Sequence, residues 1–139
     1  MPFVKELLPH ISTNVFVETG TYHGDTVNKI LKNTKCSKIY SLELSNVFYE
    51  YCSQRFCDES RVQIYHSNSK YDLYDIIKEI DTSITFWLDA HWCEVRKVGC
   101  DPETICPVLY ELDQIKKHFI KSHIIIVDDL RLMNEDNFK

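Results

Sequence analysis

The chain has 139 residues, 44% apolar and 27% charged, which is ordinary for a soluble globular protein and enough for one domain, residues 1–139, to bury about two-thirds of its unfolded surface. A formal net charge of −5 argues against a nucleic-acid partner, because a phosphate backbone is met by a basic face. Met1 to Ser12 places Phe3, Val4, Leu7, Leu8 and Ile11 at helical spacing, without the basic flank and continuous apolar core of a secretory signal or membrane span. A cytoplasmic protein is therefore expected.

The next run, Val15-Phe16-Val17-Glu18-Thr19-Gly20-Thr21-Tyr22-His23-Gly24, spends two of the chain's three glycines directly after an apolar strand. A strand that ends in a carboxylate and turns through glycine into a helix brings the backbone close to a ligand and points free N–H groups at it. The pattern, E-x-G-x-x-x-G, lacks the G-x-G-x-x-G of a pyrophosphate-packing loop and the G-K-[ST] of a P-loop. An acidic strand end would repel a diphosphate and suit a cationic amino-acid group. A strand-turn-helix corner with no ligand is the plain alternative.

Beyond it, short apolar runs alternate with helical ones, the signature of a parallel α/β sheet. The predicted strands are Val15 to Glu18, Lys38 to Leu44, Val62 to His66, Ile84 to Leu88 and Ile124 to Val127. Crossover helices are expected to bury Val27, Ile30 and Leu31; then Val47, Phe48, Tyr51 and Cys52 behind a Ser45 N-cap; then Leu73, Ile76, Ile77 and Ile80. The fourth opens at Pro107 and carries Leu109, Leu112, Ile115 and Phe119. Cys93 to Cys106 is the longest connection, a candidate lid.

The six cysteines are expected to be reduced, since the chain shows no export signal. His91, Cys93, Cys100 and Cys106 are zinc-ligand types, but with no C-x-x-C pair their spacing is not that of a structural zinc site.

In an open parallel sheet ligands bind beyond the carboxyl ends of the strands. These ends are polar throughout: Glu18, Glu43, Ser67-Asn68-Ser69, Asp89-Ala90-His91 and Asp128-Asp129. Helix capping explains one or two of them, not five. The order and contents of these motifs resemble a class I S-adenosylmethionine-dependent methyltransferase, a Rossmann-like doubly wound fold with strand order 3-2-1-4-5. The resemblance implies that Glu18, Gly20, Thr21 and Gly24 cradle the methionine part of the cofactor. Glu43 would take both ribose hydroxyls bidentately. Asn68 stands where many members carry an acidic residue facing adenine, and Asp89 joins the cofactor set.

Phe86-Trp87-Leu88-Asp89-Ala90-His91-Trp92 with Ile126-Val127-Asp128-Asp129 is similar to the metal-dependent branch, the catechol and macrocin-type O-methyltransferases. That implies a Mg2+ ion held by Asp89, Asp128 and Asp129, which would lower the pKa of an acceptor hydroxyl and aim it at the methyl group. His91 is then a candidate base or extra ligand beside Asp89, or a half-buried structural histidine. The lysine that follows this motif in catechol-type enzymes is absent, since Cys93 and Glu94 precede Arg96 and Lys97. That puts a catechol substrate in doubt.

The family core continues past the fifth strand with a further helix and an antiparallel strand pair, whereas this sequence stops at Lys139. It is expected to be either a C-terminally shortened, five-stranded version or a piece of a longer chain, with an open edge that a second copy would cover as a homodimer. The expected partner is a small-molecule acceptor. A non-catalytic methyltransferase-like binding module, serving a partner subunit, is the rival; a nicotinamide-dependent oxidoreductase is weakened by the missing third glycine.

Overall fold

The computed structural model describes residues 5–90, 104 and 106–128. A short 3-10 helix, Lys5–His10, leads into five strands and four helices in strict alternation: β1 Val15–Thr19, α1 Asp25–Asn33, β2 Lys38–Glu43, α2 Asn46–Arg55, β3 Val62–His66, α3 Ser69–Ile77, β4 Ile84–Leu88, α4 Val108–Lys117 and β5 Ile124–Val127. Every pairing is parallel and the sheet order is β3-β2-β1-β4-β5, as the sequence predicts. Where the sequence suggests a helix from Met1 to Ser12, Pro9 inside the 3-10 segment removes a backbone donor and keeps the turn short.

Each strand is four to six residues long, and β1 and β4 are buried on both faces, as central parallel strands are. Alternation then sorts side chains between two cores. Val15, Val17, Leu42, Phe86 and Leu88 pack with Leu73 and Ile77 of α3 and with Val108 and Ile115 of α4. Phe16, Ile39, Ile64 and Trp87 pack with Val27 and Ile30 of α1 and with Cys52 beyond them. Full burial of a Phe or Ile side chain stabilises by about 1.5–3 kcal/mol, so these strands hold their register through two separate apolar layers. The same alternation puts Glu18 on the α1 side and Thr19 on the α3–α4 side.

Two predicted helix faces are corrected. Val47 and Tyr51 of α2 are exposed, and so are Leu109 of α4 and Phe119 just past it. The buried residues of α4 are Val108, Glu111, Gln114 and Ile115. Gln114 explains the rotation: its amide nitrogen donates to the carbonyls of Ser69 and Lys70 at 2.8 and 2.9 Å, and its carbonyl accepts from the N–H of Tyr74 at 2.9 Å. Helix α4 thus docks on the backbone of α3 through a side-chain amide, a contact that apolar periodicity does not register.

Candidate functional site

Three consecutive features build the turn after β1. Gly20 has φ +85°, and a Cβ there would lie 2.9 Å from the carbonyl oxygen of Asp89, so the residue must be glycine on both counts. Tyr22 follows at φ 51°, a left-handed conformation unusual for an aromatic residue. It is held because its N–H donates to Glu43 Oε2 at 2.7 Å and its carbonyl accepts from the Cys52 thiol at 3.1 Å. Gly24, at φ +78°, precedes α1, and a Cβ there would meet the Phe56 ring at 2.7 Å and Cys52 Sγ at 3.1 Å. The space at Gly24 therefore serves packing against the α2 side.

The strand register sets Glu18 beside Ser41. Ser41 Oγ donates to Glu18 Oε2 at 2.6 Å and bonds Thr21 Oγ1 at 2.6 Å; with the serine proton on Glu18, the Thr21 hydroxyl is the donor in the second bond. Glu18 is 1% exposed. Burial drives its pKa up to about 8, opposed by the Ser41 bond and reinforced by the charge of Asp89. Burial likewise raises Glu43, whose two oxygens accept from the N–H groups of Tyr22 and, at 2.8 Å, Ser45. The Leu44 N–H also reaches this carboxyl, which leaves it part of its acceptor capacity. Glu43 is 3% exposed, and the rings of Tyr22, His23 and Phe48 meet in edge-on and tilted contacts, with Tyr22 and Phe48 centroids 4.6 Å apart.

Asn68 is the N-cap of α3. Its Oδ1 accepts from the Lys70 N–H at 3.1 Å while its own N–H donates to Asp72 Oδ2 at 2.8 Å, a reciprocal cap. One lone pair and the amide nitrogen remain for a ligand. Ser45, by contrast, takes the N-cap position of α2 with no side-chain cap bond.

Across the β1–β4 seam, the Asp89 N–H donates to the Thr19 carbonyl at 3.1 Å and reaches Thr19 Oγ1 at 3.3 Å. The Asp128 N–H donates to the Leu88 carbonyl at 3.0 Å. Asp89 and Asp128 therefore sit at neighbouring strand ends, and both line a small cleft with Leu88, Ala90, Val108 and Glu111. Glu111 is the group that sequence reasoning missed. It is 1% exposed, bonds the hydroxyls of Ser69 and Thr19, and has its pKa pushed up to about 7 by burial. A carboxylate inside a predicted amphipathic helix is the available signal, obscured by counting Leu109 with Leu112 on the inner face, where only Leu112 packs.

His91, Asp129, Cys93, Cys100 and the lid expected over Cys93 to Cys106 lie outside the described residues, apart from Thr104 and Cys106. Cys36, Cys52 and Cys57 are free thiols. Among the described residues no three His, Cys, Asp or Glu groups converge as metal ligands. Asp89 and Asp128 supply only two of the three expected ligands, so no step is assigned to Mg2+. No helix of the described residues is long and apolar enough to cross a membrane.

No family model matches the sequence, and no curated protein matches it. Solved structures do match. An rRNA methylase from Streptococcus thermophilus superposes with a TM-score of 0.56 at 14% identity, over 90% of this chain and 69% of that one. The fold is the Rossmann-like methyltransferase fold. Two overlapping segments of StiE O-MT agree, with TM-scores of 0.57 and 0.58 at 13% and 15% identity, each over 88% of this chain. The chain spans 41% of the length of either StiE segment.

Proposed function

We propose that this chain is an S-adenosylmethionine-dependent methyltransferase that methylates a hydroxyl of a small acceptor. The observation that carries this reading is the pair of buried carboxyls, Glu18 and Glu43, flanking a left-handed glycine turn at the carboxyl end of a methyltransferase-fold sheet. Burying acidic groups together costs free energy, and a ligand bringing a sulfonium and an ammonium offsets that cost. Dinucleotide phosphates would add to it.

In this reading Gly20 and Thr21 line the methionine part, the remaining acceptor capacity of Glu43 takes the ribose diol, and Asn68 offers its amide nitrogen or remaining lone pair to adenine. Gly24 supports the turn. S-adenosylmethionine bound there would supply the methyl group, losing its S–CH3 bond to an in-line O–CH3 bond, and Asp89 or His91 would take the acceptor's proton. Positioning carries most of the acceleration in such a displacement. The names of the structural neighbours, one an rRNA methylase and one an O-MT, both support methyl transfer; the net charge of −5 favours a small acceptor over RNA.

Calorimetric titration tests the reading: S-adenosylmethionine and S-adenosylhomocysteine bind and NAD does not. Binding of NAD alone would move the chain to the oxidoreductases. Binding of none would favour the non-catalytic module, a reading supported by the near-complete burial of Glu43 and the backbone donors on both its oxygens. Metal assistance by Asp89, Asp128 and Asp129 is the finer form of the proposal. It requires millimolar Mg2+ to raise the Tm of the cofactor-loaded protein, and Asp128→Asn to abolish that rise.

A further inference from the structure

Helix α2 grips the turn after β1 with one stripe of side chains. Phe48, Cys52, Arg55 and Phe56 follow one another at i, i+4, i+7 and i+8 from the start of the helix to its C-cap, a single helix face. They meet the three turn residues in order. Phe48 meets the Tyr22 ring with centroids 4.6 Å apart, and the Cys52 thiol donates to the Tyr22 carbonyl at 3.1 Å. Arg55 Nη1 donates to the His23 carbonyl and bonds Asp25 Oδ1 at 3.0 Å. Phe56 and Cys52 occupy the space that a Cβ on Gly24 would take.

Of these contacts the Cys52 bond bears most directly on the carboxylate at the end of β2. Tyr22 is the one non-glycine residue with positive φ among the described residues, a conformation that costs free energy and persists only where the surroundings hold it. Two bonds hold it, one on each side of its Cα. The Tyr22 N–H donates to Glu43 Oε2 at 2.7 Å, and its carbonyl accepts from Cys52. A relaxed, negative φ would turn these two peptide groups relative to one another, so both bonds could not survive it. Glu43 Oε1 is held in turn by the Ser45 N–H at 2.8 Å, and the plane of the carboxylate is therefore set by the turn and the start of α2 together. Cys52 suits a permanent donor. It is fully buried, and burial with the charges of Glu18 and Glu43 pushes its thiol up to about 12, so the S–H persists at neutral pH.

We infer that Cys52 is a positioning residue for the cofactor: its thiol bond to the Tyr22 carbonyl keeps the turn in the left-handed conformation that presents the Tyr22 N–H to Glu43. The inference rests on the methyltransferase reading for the identity of the ligand. Cys52 itself touches neither the ligand nor the reacting atoms.

The test compares the whole chain with Cys52→Ala, which deletes the donor, and Cys52→Ser, which replaces it with a shorter but stronger one. Amide NMR of the ligand-free protein follows the Tyr22 N–H, and calorimetry follows S-adenosylhomocysteine. In Cys52→Ala the Tyr22 amide proton is expected to move upfield as its bond to the carboxylate is lost, and affinity to fall about threefold or more, the weight of one hydrogen bond. Cys52→Ser is expected to keep the Tyr22 signal near its wild-type position and to recover affinity to within about twofold. A side chain that only packs would leave the Tyr22 amide in place in both variants. An unmoved Tyr22 amide in Cys52→Ala therefore overturns the inference, as does a Cys52→Ser protein that matches Cys52→Ala in both readouts. Should Cys52→Ala fail to fold, Cys52→Val fills the space without a donor and takes its place, with the same expected and overturning results. Failure of the wild type to bind S-adenosylhomocysteine would instead sink the methyltransferase reading, while the Tyr22 amide still decides whether Cys52 holds the turn.

Discussion

The two ends of the sheet solve the problem of buried polar groups in opposite ways. At the N-terminal end the bonds form a chain with one allowed direction. The Ile84 N–H donates to His123 Nδ1 at 3.1 Å, so His123 carries its proton on Nε2 and gives it to His118 Nδ1 at 3.2 Å. His118 Nε2 then donates to the Ile77 carbonyl at 3.0 Å. Beside it Thr13 donates to the Val15 carbonyl at 2.7 Å and accepts from Thr85 at 2.8 Å. At the C-terminal end, by contrast, Glu18, Glu43 and Glu111 are buried with raised pKa values, Gly20, Tyr22 and Gly24 are left-handed, and a Glu111 oxygen has no partner. The same strands run through both ends. The N-terminal end serves folding, and the cost accepted at the other end is what the proposed ligand would offset.

The largest effect is expected from breaking the satisfied end. His118→Leu removes the donor to Ile77 and the acceptor for His123 and for the Ile120 N–H, leaving one buried and two half-buried polar groups without that partner. Urea unfolding should show a loss of about 3 kcal/mol. A loss below about 1 kcal/mol would mean that the chain of bonds does not hold this end together.

At the opposite end the corresponding deletion should act on the ligand instead. Glu43→Ala is expected to weaken S-adenosylmethionine by about 2 kcal/mol, the value of hydrogen bonds to a charged group, measured by calorimetry. Unchanged affinity would reduce Glu43 to a brace for Tyr22 and Ser45.

The contrast was only half legible in the sequence. Strand ends and sheet order were readable, because short apolar runs bounded by polar residues have one economical arrangement in a parallel sheet, and Glu18, Glu43 and Asp89 fall where that arrangement puts a site. Glu111, Gln114 and His118 were not readable. Glu111 and Gln114 lie on the inner face of α4 and His118 at its C-cap, in spacing that apolar counting assigns to solvent, and each has a partner 40 or more residues away, in α3 or at the end of β1. The packing at Gly24 was not readable either: that a Cβ there would meet the Phe56 ring and Cys52 Sγ is a contact between distant positions.

Removing a charge at the costly end should stabilise the protein. Glu18→Gln keeps an acceptor for Ser41 and cannot ionise. The folded pKa of Glu18, about 8, lies above its ordinary 4.5, so its contribution to stability is whole below pH 4.5 and is lost as pH rises through 8. The variant should therefore match the wild type near pH 4.5 and exceed it by a margin that grows as pH rises toward 8. A variant less stable than the wild type at pH 8 would show that the carboxyl is structurally required and would remove the stability cost from which the ligand was inferred.

The smallest effect has the opposite pH sign and comes from the satisfied end. Burial, and then the neighbouring His118, hold the His123 pKa below 6.5, with Lys121 also disfavouring its charged form and the Ile120 bond opposing them. A second proton on His123 would have to sit on Nδ1, where the Ile84 N–H already points. The neutral form is therefore the native one: its contribution is complete above pH 6.5 and is lost as pH falls through the lowered folded value. Because most of the ring lies near solvent, screening reduces the loss between pH 7 and pH 5 to about 0.5 kcal/mol. The measurement belongs in the Glu18→Gln background, where the rising stability of Glu18 on acidification no longer masks it, with His123→Asn as the comparison. Asparagine still offers Ile84 an acceptor but does not titrate, so the acid-induced fall in urea midpoint should vanish. An equal fall in both proteins would place the titrating group elsewhere, and the fixed direction of the histidine chain would lose its support.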